Sequence, residues 1–168
     1  MSNKKLPTIA IIGQANVGKS SLFNRMIGKR QAIVAKEAGT TRDNVIAKLQ
    51  IEDRTCWLVD TAGLKTAEDE FEASIQEQIG EATELADVIL VTLDGTLYPT
   101  NEDIGIIRKA QKSNKPTFLL VNKSDLKSNV DQSEFYKLGL KEIIFTSANH
   151  GTGIEELKNK LLNCLPAK

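Results

Sequence analysis

The amino-acid sequence predicts an α/β fold built on a mostly parallel β-sheet, and three features of the chain support this prediction. Short apolar runs recur, each rich in β-branched residues and too short for a helix, which is typical of strands buried on both faces. Segments with helical periodicity separate these runs, and this alternation predicts right-handed βαβ units with helices on both faces of the sheet. One segment instead alternates polar and apolar residues at hairpin distance from the next run, so it predicts an antiparallel strand at one edge.

Six strands are expected from these patterns. The parallel strands are predicted at 8–12, 56–59, 88–93, 117–121 and 143–145, and the antiparallel edge strand at 44–51. Four amphipathic helices are expected between or after them. Their apolar faces are predicted to be Leu22, Phe23, Met26 and Ile27; Phe71, Ile75, Ile79, Ala82, Leu85 and Ala86; Ile104, Ile107 and Ala110; and Ile154, Leu157, Leu161, Leu162 and Leu165.

Length and composition indicate one folded domain spanning residues 1–168, with 40% hydrophobic and 26% charged residues. The chain has 22 Lys plus Arg residues and 22 Asp plus Glu residues. This balance excludes a large net positive charge that would attract nucleic acid or anionic lipid. Cys56 and Cys164 form no C-x-x-C motif, so neither a disulfide framework nor a zinc site is expected. Every apolar run is far shorter than the roughly 20 residues of a membrane span, and the run at 9–12 is interpreted as a strand, not a signal peptide. We therefore expect a monomeric cytoplasmic domain with no membrane partner.

The first motif lies between a predicted strand and a predicted helix. Residues 13–20 read GQANVGKS and fit G-x-x-x-x-G-K-[ST], a loop whose backbone N–H groups cradle phosphates. Lys19 would place its charge on the β- and γ-phosphates, and the Ser20 hydroxyl would bind Mg²⁺. A glycine turn that only joins strand to helix would not require Lys19 or Ser20. The predicted phosphate-binding residues are Gly13, Gln14, Ala15, Asn16, Val17, Gly18, Lys19 and Ser20.

A second motif, Asp60, Thr61, Ala62 and Gly63, fits D-x-x-G and follows the apolar strand predicted at 56–59. The pattern alone occurs often by chance, so its position carries the inference. At the end of a strand, Asp60 could hold Mg²⁺ through a water molecule. The N–H of Gly63 could then contact a γ-phosphate.

Two further loops follow the strands predicted at 117–121 and 143–145. In the first, 122–125 reads NKSD, and the carboxylate of Asp125 could accept hydrogen bonds from N1–H and the exocyclic amine of guanine. Adenine offers neither donor at that edge, so the site would discriminate between the two bases. In the second, Ser147, Ala148 and Asn149 could offer backbone N–H groups to the guanine O6. An Asx-type turn at 122–125 and a helix N-cap approach at 147–149 remain alternatives.

All four loops follow predicted strands, so in a parallel sheet they emerge at the same carboxyl edge, where α/β proteins bind ligands. The sequence therefore predicts that phosphate, magnesium and guanine contacts converge on one pocket.

The ordered set GQANVGKS, TTRD, DTAG, NKSD and SAN resembles the translation-factor-like class of P-loop GTPases. Longer stretches are similar to the first GTPase domain of the bacterial ribosome-assembly GTPases of the Der (EngA) family: NVGKSSLFNRMIGKR, AGTTRDN, VDTAGL and FYKLGLKEIIFTSANHGTGIEELKNKLL. The resemblance covers essentially the whole chain. Der proteins continue into a second GTPase domain and a KH-like domain, whereas this sequence carries one motif set.

The resemblance implies a P-loop GTPase fold and a GTP-binding switch that hydrolyses GTP to GDP and phosphate with Mg²⁺. It also implies a role in biogenesis of the large ribosomal subunit, with a subunit precursor or adjoining domains of a longer parent protein as partners. Residues 16–21, which include Ser21, would wrap the phosphates, and Thr41 or its neighbour Thr40 would be the switch I magnesium ligand. Lys123 would lie along the base, and Asn122 would fasten the loops together. The implied catalytic residues are Lys19, Thr41 and Gly63, and the implied magnesium ligands are Ser20, Thr41 and, through water, Asp60.

Two positions bear on the rate of hydrolysis. Leu64 stands where many small GTPases carry a glutamine that positions the attacking water, so hydrolysis by the isolated domain should be slow. In relatives with asparagine at the position of Asn16, a potassium ion bridges the phosphates, and the resemblance therefore implies K⁺ stimulation. A nucleotide-gated interaction module with negligible hydrolysis is the alternative, and a P-loop kinase is a third. His150 is expected to be a turn residue before the last helix.

Overall fold

The computed structural model describes residues 6–28, 33–36, 43–65 and 74–166, and their side chains except at 33–36, 43–45 and 62–65. Within these ranges the strands are β1 (Thr8–Gly13), β2 (Ile33–Lys36), β3 (Asp43–Ile51), β4 (Arg54–Lys65), β5 (Val88–Asp94), β6 (Thr117–Asn122) and β7 (Glu142–Phe145). The helices are α1 (Lys19–Ile27), α2 (Ile75–Leu85), α3 (Asn101–Lys112), α4 (Ser133–Tyr136) and α5 (Ile154–Cys164).

The described strands form one sheet in the order β2-β3-β4-β1-β5-β6-β7. Neighbours from β4 to β7 are parallel, while β3 is antiparallel to both β2 and β4. The predicted class, a mostly parallel sheet with one antiparallel strand and helices on both faces, is confirmed. Because β1 lies at the centre, its carboxyl end is flanked by the ends of β4 and β5.

The predicted strand count and edge differ from the structure. All six predicted strands are present, but β2 extends the sheet to seven strands, so the antiparallel β3 is not at the edge. β2 has four residues and is defined by its pairing with β3, from Ile33 opposite Ile46 to Lys36 opposite Asp43. A run this short has too little alternation to indicate a strand without knowledge of its partner.

Side chains that alternate along the central strands build two hydrophobic clusters, one on each face. Ile9 and Ile11 face the cluster that contains residues of α1 and α5, whereas Ala10 and Ile12 face the cluster formed with α2 and α3. This two-sided burial explains why the strands are continuous apolar runs. The two hydrophobic clusters and their helices cover both faces of the sheet, and the loops lie at its carboxyl edge.

The predicted helical faces are largely buried, with differences at particular positions. Leu85, the last residue of α2, is 49% exposed, because the chain leaves the helix there and Ala86 takes the buried position. On α3, Ile106 is buried beside Ile107 although the periodicity did not select it. Phe71 lies outside the described residues. The short helix α4 was not predicted, because four residues are too few to show a helical period. It buries the side chain of Phe135.

Cys56 and Cys164 are both free thiols, the first buried and the second half-buried. Burial raises the pKa of Cys56 to about 11, against the opposing charge of Arg54. Within the described part of the chain, no helix has the length and apolar character that crossing a bilayer requires.

Candidate nucleotide-binding site

The sheet register places the predicted motif loops next to one another. Ile11 of β1 lies opposite Asp60 of β4, Gly13 lies opposite Thr92 of β5, and Asp94 of β5 lies opposite Asn122 of β6. The ends of β1, β5 and β6 are therefore close to one another in register, and Asp60, within β4, lies beside them. The loop after β7 joins them, since the N–H of Thr146 donates to the Val121 carbonyl at 2.8 Å.

The phosphate loop curls between β1 and α1. Asn16 and Gly18 have positive φ angles of 68° and 99°, and Gly18 is the N-cap of α1. Asparagine and glycine tolerate this backbone region better than other residues. Lys19 opens the helix, and its ammonium donates to the carbonyl oxygens of Gly13 at 2.7 Å and Gln14 at 2.6 Å. The lysine therefore bridges the end of the loop to its beginning, with 3% of the residue exposed.

The two predicted magnesium ligands that the structure describes are in contact. The hydroxyl of Ser20 donates to the Oδ2 of Asp60 at 2.9 Å, and Asp60 is buried. A hydroxyl and a carboxylate oxygen are hard ligands that suit Mg²⁺, which takes its remaining ligands from water and phosphate oxygens. No cluster of three or more His, Cys, Asp or Glu residues occurs in the described ranges.

Asp60 was expected at the end of its strand, but β4 continues to Lys65. Lys65 pairs with Asp43 across an irregularity in the register between β3 and β4. Residues 62 and 63 of the second motif and the following Leu64 are thus extended backbone within β4, and their side chains are not described. The partner strand fixes this extension, and the motif itself carries no signal for it. Thr40 and Thr41 lie outside the described residues.

Asn122 connects three loops. Its Nδ2 donates to the Val17 carbonyl at 2.9 Å, and its Oδ1 accepts from the Thr146 hydroxyl at 3.1 Å. Its backbone carbonyl accepts from the N–H of Gly95 at 2.8 Å. A Cβ at Gly18 would lie 2.2 Å from the Nδ2 of Asn122, so this close approach requires glycine there. These contacts are those expected of a residue that fastens the loops.

Lys123 is held by an acid that sequence reasoning did not select. Its ammonium donates to the Asn16 carbonyl at 2.7 Å and pairs with the Oδ2 of Asp94 at 3.0 Å. The Oδ1 of Asp94 accepts from the N–H and hydroxyl of Thr96 at 2.8 and 2.6 Å. Burial alone would raise the pKa of Asp94, but the hydrogen bonds from Thr96 and Lys123 outweigh it and lower the pKa. The signal in the sequence that could have identified Asp94 is its position directly after an apolar run, which is the same signal that identified Asp60.

Of the predicted base-reading residues, Asp125, Ala148 and Asn149 line a pocket of about 220 Å³, and Ser147 does not. The Oδ1 of Asp125 accepts from the Ser147 hydroxyl at 2.9 Å, and its Oδ2 lies 3.4 Å from the Nε2 of His150. His150 lies in the turn closed by the hydrogen bond from the N–H of Gly151 to the Ser147 carbonyl at 2.7 Å, in keeping with its expected place before α5. The pocket is lined by Gly18, Ser21, Asn122, Lys123, Asp125, Leu126, Ala148 and Asn149.

Arg25 of α1 supports the base loop from outside the pocket. Its Nε donates to the Ala148 carbonyl at 2.7 Å, and its Nη2 donates to the Asn149 carbonyl at 2.5 Å. A guanidinium suits this role because its donors form a rigid fork. No local pattern predicts this contact, since Arg25 and its partners are more than 120 residues apart along the chain.

The comparison with known families decides the classification. A family model described as "50S ribosome-binding GTPase" matches residues 8–123, which include the phosphate loop and most of the sheet. The chain belongs to this GTPase family. The family model and the Der relatives support a GTP-binding switch, and the resemblance to Der proteins is confirmed.

Relatives and solved structures agree with this assignment. A GTPase Der of Akkermansia muciniphila is 42% identical over 165 residues, which are 97% of this chain and 36% of that protein. The structure of Era in complex with MgGDPNP and nucleotides 1506–1542 of 16S ribosomal RNA is 31% identical, with a TM-score of 0.74 over 99% of this chain and 59% of that one. The G domain of the T. maritima FeoB iron transporter is 27% identical, with a TM-score of 0.72 over 94% of this chain and 98% of that one. The chain thus spans about a third of the length of its Der relative.

Proposed function

We propose that this GTPase domain hydrolyses GTP to GDP and phosphate in a Mg²⁺-dependent reaction that is slow in isolation and is stimulated by K⁺. The observation that carries the proposal is the convergence at one sheet edge of Lys19, the Ser20–Asp60 pair and Asp125. Between them they supply a charge for phosphates, oxygen ligands for a hard cation and a carboxylate acceptor for a base.

Guanine selectivity is assigned to Asp125. Its side chain is 16% exposed and already meets two polar partners, the Ser147 hydroxyl and the His150 ring. A base that offered no donor at this edge would cover the carboxylate without adding a hydrogen bond to it, and displacing its water in this way costs more than a missing favourable contact. GTP should therefore be bound in preference to ATP, and excess ATP should not displace it. Displacement by equimolar ATP would instead favour a P-loop kinase.

Hydrolysis is proposed to proceed by in-line attack of water on the γ-phosphorus, with no covalent intermediate. Mg²⁺ would be held by Ser20, by Thr41 and, through water, by Asp60. When bound, it would neutralise charge on the phosphate oxygens. Lys19 would hold the β- and γ-phosphates, and the N–H of Gly63 would contact the γ-phosphate. Leu64 cannot hydrogen-bond the attacking water, so this reaction lacks one positioning group and should be slow.

Potassium stimulation is assigned to Asn16. This residue is exposed on the phosphate loop, and its amide offers a neutral oxygen of the kind that alkali cations accept. Single-turnover GTP hydrolysis in matched KCl and NaCl tests the assignment, and the rate should be several-fold higher in KCl.

The matched variant is Asn16→Gly, because glycine keeps the positive φ of 68° without strain and removes only the amide. It should lose the difference between the two salts. Equal rates of the unaltered protein in both salts would refute the role of K⁺. Hydrolysis no faster than in buffer under either salt would favour the alternative, a nucleotide-gated interaction module.

In the cell, we propose a role in assembly of the large ribosomal subunit, in the cytoplasm, as a GTPase domain spanning residues 1–168. The family description and the Der relatives support this role. The partner would be a subunit precursor or adjoining domains of a longer protein. Co-sedimentation with large-subunit precursors should be stronger with a non-hydrolysable GTP analogue than with GDP, and equal binding with both would argue against a switch.

A further inference from the structure

A buried glutamine on α2 lies where the phosphate loop and the second motif both begin. Gln78 is 1% exposed, and its Oε1 accepts from the Gly13 N–H at 3.1 Å and lies 3.2 Å from the Thr61 hydroxyl. Gly13 is the first residue of the phosphate loop, and Thr61 follows the proposed magnesium residue Asp60. One side-chain oxygen of α2 therefore contacts both motif loops.

The Thr61 hydroxyl has a single proton and two acceptors within reach. It donates to the Ile11 carbonyl at 2.7 Å, which makes the 3.2 Å contact to Gln78 the weaker arm of a shared hydrogen bond. A small movement of α2 or of residue 61 would redistribute this proton between the two acceptors. Because all three groups are buried, the change would occur in a low dielectric, where hydrogen bonds are strong.

The rest of α2 has a fixed first turn and packs on the sheet. Ser74 and Glu77 form a capping box that fixes the first turn, and Ile79 and Ala82 pack against the sheet through apolar contacts. Such contacts have no fixed direction, so they hold the helix on the sheet without specifying its axial position. Gln78 supplies a directional contact from α2 to the phosphate loop and the second motif, whereas the hydrogen bonds of Gln76 and of the Thr83 carbonyl go to Lys109 and Lys115.

We infer that Gln78 is a positioning residue that couples α2 to the nucleotide state of the GTPase site. In this inference, which rests on the proposed contact of Gly63 with a γ-phosphate, movement at residues 60–63 changes the sharing of the Thr61 proton and thereby the position of α2. Gln78 touches neither nucleotide nor metal, and it acts through Gly13 and Thr61.

The test measures how well the protein discriminates GTP from GDP. Affinities for a non-hydrolysable GTP analogue and for GDP are determined for the unaltered protein, Gln78→Met and Gln76→Met. Gln76 is the matched control, since it lies two positions earlier on α2, is exposed, and accepts only from Lys109 among the contacts described. Gln78→Met should change the ratio of the two affinities by about fivefold or more, the low end of ordinary allosteric couplings, and Gln76→Met by less than twofold.

A residue that served only stability would lower the unfolding midpoint and leave the ratio unchanged, which would refute the inference. If Gln78→Met does not fold, Thr61→Val is measured against Thr61→Ser. Valine should change the ratio and serine should restore it, and equal ratios for both would also refute the coupling. If the unaltered protein bound no guanine nucleotide, the GTP-binding assignment itself would fail, which is a different outcome from an unchanged ratio.

Discussion

The replacement of Asn122 by alanine tests whether one side chain holds the three loops together. The change removes two hydrogen bonds and leaves the Val17 carbonyl and the buried Thr146 hydroxyl without those partners. A buried polar group left unsatisfied costs about 1–3 kcal/mol, so two of them give about 2–6 kcal/mol in the free energy of unfolding. This is a large part of the roughly 5–15 kcal/mol that stabilises a typical domain.

Urea unfolding followed by circular dichroism measures the free energy, and at about 2–4 °C per kcal/mol for this chain length the thermal midpoint should fall by roughly 4–24 °C. Asn129→Ala is the matched control, because Asn129 is exposed and such surface changes stay within about 0.5 kcal/mol. Thr146→Val removes one of the two bonds and should cost about half as much as Asn122→Ala.

The double variant separates a shared network from two independent effects. If Asn122 and Thr146 act through their mutual bond, Thr146→Val should cost clearly less in the Asn122→Ala background than alone. Strict additivity, or an Asn122→Ala protein as stable as the Asn129→Ala control, would refute the reasoning. Guanine nucleotide should also dissociate faster from Asn122→Ala, because the phosphate and base loops lose their common anchor.

Two further predictions follow from titratable groups. Since the pKa of Asp94 is lowered from its ordinary 3.8, the stability it contributes is present above that pH and is lost as the pH falls through the folded-state value. The difference in unfolding free energy between the unaltered protein and Asp94→Asn should therefore shrink between pH 7 and pH 3, and a difference independent of pH would contradict it. The raised pKa of Cys56, about 11, together with its burial, should make its alkylation by iodoacetamide at pH 8 much slower than that of the half-buried Cys164. Mass spectrometry of timed samples measures both rates, and comparable rates in the folded protein would count against this environment for Cys56.

Sequence reasoning located the fold class and the main loops because both depend on local patterns. The strand 88–93 is a continuous apolar run, which follows directly from burial on both faces, and the structure extends it only to Asp94. The phosphate loop needs glycine, lysine and serine at fixed spacing, so a short window contains the signal. By contrast, β2 depends on its partner β3, and the continuation of β4 beyond Asp60 depends on the pairing of Lys65 with Asp43.

The missed site residues share one property: their partners are distant along the chain. Gln78 contacts Gly13, Arg25 contacts the loop at 148–149, and Asp94 pairs with Lys123. In the sequence, Gln78 is one polar residue beside Ile79 on an amphipathic helix, and nothing local distinguishes it from the exposed Gln76. Only packing of α2 on the sheet turns one of the two glutamines inward.

The sequence by itself determined which chemical groups exist in this protein and that strand direction delivers them to a common edge, because periodicity and motif spacing are local properties. The tertiary structure decided which side chain supports which loop. Those contacts are hydrogen bonds of about 3 Å between residues far apart along the chain, and their geometry exists only after both hydrophobic layers have closed on the sheet.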